Sequence, residues 1–294
     1  TLTAGTSTAE GASQLAKGTT SVENGAELTV KNVTLGRDQT LTKKTTGTLT
    51  FEGESNFDNG TLTIAGNDAQ FSASGAVLVT NKTSGDRIQN NLFGGNSSVT
   101  IGNKDKVTLR TTGAFEAKDG FAHQFNKWEV KGTGSKATHA DQLAKETDVQ
   151  SGGALTLTDV TLGEGQTLAL TGGDLTFAGL TNLDQGTKTF TNGVYRFADD
   201  AVLETSKASL ADVLVNVNAM ETSARATLRT KGEEFTSSAD VTKFGTWEVQ
   251  GAGTTAAGAD KLAKVTDVQE GGVMTITALT LDASQTLKLT GGDL

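Results

Sequence analysis

Apolar residues and threonines alternate along most of this chain in runs of three to five, each run opening after a Gly or Asn. Glu27-Leu28-Thr29-Val30, Gly60-Thr61-Leu62-Thr63-Ile64, Ala154-Leu155-Thr156-Leu157 and Asp174-Leu175-Thr176-Phe177 are examples. A period of two predicts short strands with one face buried, and threonine, β-branched and polar, suits the other face. Gly-Gly pairs at 152–153, 172–173, 271–272 and 291–292, with Asn-Gly at 24–25, 59–60 and 192–193, mark the turns between strands. The pattern predicts an all-β chain. Two stretches also carry helical spacing. Across residues 208–224, Leu210, Val213, Leu214 and Val217 fit a helix, but the alternation of Val213, Val215 and Val217 favours a strand. Residues 141–148 suggest a single helical turn.

A second, longer period overlies the first. The stretch at residues 141–175 returns at 260–294 in one register, with 23 of the 35 positions identical, and self-similarity of this kind decides architecture before any local signal. A third copy lies near the start, where Ser13-Gln14-Leu15-Ala16-Lys17 matches Asp141-Gln142-Leu143-Ala144-Lys145. The chain therefore reads as the tail of one repeat (residues 1–12), a repeat at 13–140, a repeat at 141–259 and the opening of another at 260–294. Val107-Thr108-Leu109-Arg110-Thr111 matches Ala226-Thr227-Leu228-Arg229-Thr230, and Trp128-Glu129-Val130 matches Trp247-Glu248-Val249. The first repeat is a few residues longer, mostly within residues 90–106, which predicts a loop of variable length there. Both ends cut through a repeat, so the reading is a segment of a longer protein whose export signals and anchors lie outside it.

Composition narrows the architecture. Across 294 residues there are 36 glycines, no proline, no cysteine and only 5% aromatics. Two β architectures fit: a parallel β-helix (β-solenoid) whose coils of roughly 20 residues stack at ~4.8 Å, or tandem immunoglobulin-like β-sandwiches of ~100 residues per module. Very short strands, an almost wholly aliphatic core and the lack of proline favour the solenoid. A net charge of −9 with scattered acidic residues argues against nucleic acid and anionic membrane as partners, since both need clustered Lys or Arg. No apolar run approaches the ~18 residues of a membrane span.

With its Leu-Thr-Leu, Leu-Thr-Phe and Leu-Thr-Ile strands spaced by Gly and Asn, as in residues 152–177, the chain resembles the passenger regions of bacterial autotransporters and related large surface adhesins. That resemblance implies a right-handed parallel β-helix exposed at the bacterial cell surface, outside the cell. It carries over no catalytic residue.

The repeats also test for chemistry, because a site that the repeat exists to present should recur in each copy. His123 and His139 are the only histidines, and the residues 119 positions on are Thr242 and Gly258. No repeated metal or acid–base site follows from them. Motifs for nucleophilic catalysis, phosphate binding and zinc hydrolysis are missing, and no catalytic, cofactor or metal residue is expected. The densest acidic group is Asp184, Asp199, Asp200 and Glu204. As paired carboxylates they would suit a polysaccharide-active β-helix enzyme, and as turn residues they would simply be solvated. Asn67-Asp68 lies in a turn but in no calcium-loop sequence. Asn32, Asn81 and Asn96 head Asn-x-Ser/Thr sequences. Trp128 and Trp247 occupy the same place in successive repeats. Exposed, they would serve for surface stacking on sugar rings or a neighbouring fibre; otherwise each fills its repeat's core. The functional expectation is a structural and adhesive repeat region, forming a stiff stalk or filament whose partners are sister chains or glycans. Modular sandwiches for binding, or a glycan-active enzyme built on Asp199 or Asp200, are the alternatives.

Overall fold

The computed structural model of the chain describes residues 1–65, 69–72, 75–84, 102–118 and 121–294. Among them, strands pair in parallel with partners about 20 residues on. Leu28 faces Leu49, Leu155 faces Leu175 and Trp247 faces Thr266. Parallel neighbours this close in sequence cannot be joined by hairpins; the chain must make a full circuit between them. The fold is a β-solenoid. This overturns the sandwich alternative, whose strands would pair antiparallel.

Two compact units divide the chain, one of Thr1–Lys136 with Asp141–Gly153, the other of Ala137–Ala140 with Ala154–Leu294. In the first, Gly5–Glu10, Ala26–Thr34, Thr48–Asn56 and Ala69–Phe71 stack in one column, and Gly18–Val22, Gln39–Lys43 and Thr61–Ile64 in a second. A third column runs from the end of Thr48–Asn56 through Val77–Thr80, Thr108–Thr111 and Lys127–Val130 to Glu146–Val149. The second unit repeats the scheme. Its six-stranded sheet orders Leu180–Asn182, Val202–Thr205, Thr227–Thr230, Thr246–Val249, Val265–Gln269 and Thr286–Thr290, beside columns built on Thr167–Ala178 and on Thr254–Ala257.

Because strand alternation is held in register from coil to coil, inward residues form rows. Val30, Phe51 and Phe71 lie in one row, with the rings of Phe51 and Phe71 5.6 Å apart. Its counterpart in the second unit is Leu157, Phe177 and Phe197, with Phe177 and Phe197 stacked at 5.1 Å. All six of these side chains are buried. Similar strand sequences in successive repeats thus produce the same core rows, each coil closing the row of the one before.

Two local expectations meet different outcomes. A single turn of 3-10 helix does stand at the junction, but at Ala140–Gln142, so of the expected residues 141–148 only 141 and 142 are in it and 146–148 belong to the strand Glu146–Val149. Residues 208–224 are not the expected strand. They form 3-10 turns at Leu210–Asp212 and Val217–Ala219, followed by the strand Met220–Thr222. Asn216 takes the left-handed conformation at φ 52°, which breaks an extended run, and the Tyr195 hydroxyl donates to the Val215 carbonyl at 3.1 Å. The valines therefore line a bend. The variable loop expected in residues 90–106 falls mostly outside the described residues. The pairs that flank it differ in span, since Val77 pairs with Thr108, 31 residues on, whereas Val202 pairs with Thr227, 25 on.

Candidate functional site

Trp128 and Trp247 are not surface residues. In Lys127–Val130 and Thr246–Val249 the alternation turns the ring inward, and both tryptophans are 0% exposed. Trp128 lies between Leu109 and Thr147 in its row, Trp247 between Leu228 and Thr266. Each indole N–H is satisfied inside the core: Trp128 Nε1 donates to Thr111 Oγ1 at 3.0 Å, Trp247 Nε1 to Thr230 Oγ1 at 3.1 Å. Phe115 packs edge-on against Trp128 at 5.6 Å, and Phe235 takes that place for Trp247. The expected stacking surface is corrected to a core pair, because a buried indole must find a partner and the threonine one coil back supplies it.

The four acidic side chains at 184–204 do not converge as one group. Asp184 accepts the Thr205 hydroxyl at 2.6 Å and the Ser206 amide at 2.7 Å, as Asp58 does for Thr80 and Asn81, both at 2.7 Å. It ties one coil to the next. Glu204 pairs with Lys231 at 2.8 Å and with Arg229 at 3.5 Å. Asp199 accepts from the Ser223 hydroxyl, and Asp200 meets Arg225 through two 2.7 Å bonds. Each carboxylate has its own cationic or hydroxyl partner, an arrangement that braces the turns.

The histidines are separate too. His123 Nδ1 lies 3.1 Å from the Leu143 carbonyl and His139 Nδ1 lies 3.3 Å from that of Asp159, so each imidazole reaches the main chain of the coil 20 residues on. Among the described residues no group of three or more His, Asp or Glu side chains is placed to hold a metal ion. Asn67-Asp68 and Asn96 lie outside the described residues. Asn32 spends its side chain on the fold, its Oδ1 accepting from the Glu54 amide at 3.1 Å. No described helix is long and apolar enough to cross a membrane.

Sequence reasoning missed the glutamines of the repeated Gln-Thr-Leu. Gln39 Nε2 donates to the Ala12 carbonyl, Gln166 Nε2 to that of Ala140 and Gln285 Nε2 to that of Ala259, each at 2.7 Å. The same side chain's Oε1 accepts an amide three residues back, from Gly36, Gly163 and Asp282. One amide thereby clamps its own turn and the 3-10 turn of the preceding coil. The signal was present: Gln-Thr-Leu recurs at 39–41, 166–168 and 285–287.

A row of charges runs along the outer face. Arg110 pairs with Glu129 at 2.7 Å and Arg229 with Glu248 at 2.6 Å. Partial burial works against each guanidinium, but the bonds to its carboxylate partners outweigh it and hold both arginines above their ordinary value. The second carboxylate differs between repeats. Arg229 reaches Glu204, its neighbour in the ladder, whereas Val79 faces Arg110, which turns instead to Glu54.

What the copies share is thus a set of cross-coil braces: glutamine clamps, aspartate staples, buried tryptophans and arginine–glutamate pairs. Compared with protein-family models, with curated proteins and with solved structures, the chain finds no match.

Proposed function

We propose that this chain is a structural and adhesive repeat region of a bacterial surface protein, with stacked coils setting the reach of an exposed stalk. One observation carries the reading. The polar side chains preserved from copy to copy (Gln39, Gln166 and Gln285; Asp58 and Asp184) hold one coil to the next. The histidines and the Asp199-Asp200 pair, which would serve chemistry, do not recur. In a solenoid each coil contacts its neighbours, so stability grows roughly additively with the number of coils, and duplicating a block lengthens the body without redesign. The outer threonines, serines and asparagines would then meet glycans or sister chains.

Small-angle scattering on the chain and on a version carrying one more copy of residues 141–259 tests the mechanical part. The largest dimension should rise in proportion to the added coils while the cross-section stays constant. A version that grows equally in all directions would sink the reading. Antibody labelling of intact source cells tests the location, and labelling only after lysis would refute surface exposure.

A further inference from the structure

Three Asn-Gly pairs stand at 24–25, 59–60 and 192–193, and the fold treats their reactive groups differently. An asparagine followed by glycine is open to attack by the glycine's own backbone nitrogen on the side-chain carbonyl carbon. At the first pair both groups are engaged by the next coil: Asn24 Oδ1 accepts from the Thr46 amide at 3.0 Å, and the Gly25 amide donates to the Thr46 carbonyl at 3.3 Å. At the second, Gly60 is buried, which shuts its nitrogen off from the solvent base that must take its proton.

The third pair is arranged for reaction. Asn192 is exposed, and the Gly193 amide donates to Asn192's own Oδ1 at 3.0 Å, which sets the attacking nitrogen beside the carbonyl group it would attack. The parallel ladder is irregular here. Thr171 pairs with Asn192 and Asp174 with Val194, so Gly193 has no partner in the register. Gly193 holds φ at +105°, and a Cβ would meet the Gly173 carbonyl oxygen at 2.3 Å, so glycine, the residue that reacts most readily, is the one this corner admits.

We propose that Asn192-Gly193 is a site of spontaneous covalent modification. The Gly193 nitrogen bonds to Asn192 Cγ, the Cγ–Nδ2 bond breaks, and the nitrogen's proton leaves with the amide as ammonia, giving a succinimide. Water then opens the ring at either carbonyl, yielding aspartate or isoaspartate. Either product adds one carboxylate to the second unit, and isoaspartate also inserts one carbon into the backbone of Thr187–Phe197.

Incubating the intact chain at mildly alkaline pH, followed by peptide mapping with isoaspartate quantification, tests this. Asn192 should convert severalfold faster than Asn24 and Asn59 in the folded chain, and the three rates should converge in denaturant. Conversion led by Asn24 or Asn59 would overturn the proposal. So would an Asn192 that reacts only after unfolding, or one whose lead persists unchanged in denaturant, since the local sequence rather than the fold would then set the rate.

Discussion

Residues 160–175 and 279–294 are two copies of one pattern with opposite fates. Val160, Leu162, Leu170 and Leu175 are at most 1% exposed, whereas Leu279, Leu281, Leu289 and Leu294 are 39%, 39%, 54% and 56% exposed. The strand Thr167–Ala178 is covered by Thr187–Phe197, which pairs with it in parallel; Thr286–Thr290 pairs, among the described residues, with Val265–Gln269 alone. Contacts to the preceding coil are alike in both copies, for Gln166 and Gln285 clamp the same turn. The left-handed corner differs. Asp159 at φ 52° uses its Oδ1 to accept the Leu180 amide at 2.8 Å, while Ala278 at φ 54° has no side-chain acceptor to offer. Burial of this leucine row in the first copy therefore comes from the coil packed upon it as well as from the alternation of its own strand.

The largest effect that would break this comparison is a paired leucine truncation. Leu170→Ala should cost about 2–5 kcal/mol in denaturant unfolding, the range for buried leucines. Leu289→Ala should stay within about 0.5 kcal/mol, as for exposed positions. Equal losses would mean that the outer row is covered in solution. Next come the clamps: Gln166→Ala and Gln285→Ala should each cost about 1 kcal/mol, and should match, because both bonds point to the preceding coil. At the corner, Ala278→Gly should raise stability by about 1 kcal/mol by removing the left-handed penalty, whereas Asp159→Gly should lower it by losing the staple to Leu180. The smallest effect carries the comparison to the first repeat, where Lys127 stands in place of Thr246. Burial lowers the Lys127 ammonium, but the bond to Glu146 and the charges of Asp148 and Glu129 raise it above its ordinary value. Its contribution is then complete below about 10.4, the unfolded value, and is lost as pH rises through the higher folded value. Lys127→Met should flatten the alkaline limb of the stability–pH curve, and Thr246→Lys should not steepen it to the same degree, since Val265 holds the place of Glu146.

Much of the fold was legible because two periods agreed. Alternation over Leu155–Leu157 or Leu62–Ile64 announces which side chains point inward, and the 119-residue repeat shows that the same arrangement recurs. The tryptophans were legible as a pair but not as buried, because a strand of four residues presents one face or the other according to its register. That register is set by Leu109 and Leu228 in the coils beneath. Val213 and Val217 misled for the opposite reason: β-branched residues at alternate positions satisfy a strand pattern, but Asn216 between them turns the backbone left-handed and no periodicity carries that.

By itself, then, the sequence determined an all-β chain of coils near 20 residues, its strands and turns, and the positions that recur. Those follow from local preference and from period, which each segment holds without reference to the rest. Which repeated residues are braces and which are surface was decided only by the tertiary structure. Gln39 finds Ala12, Asp184 finds Thr205 and Trp128 finds Thr111. In a parallel solenoid each of these partners lies a coil away, so burial and hydrogen bonding belong to the stack and not to the strand.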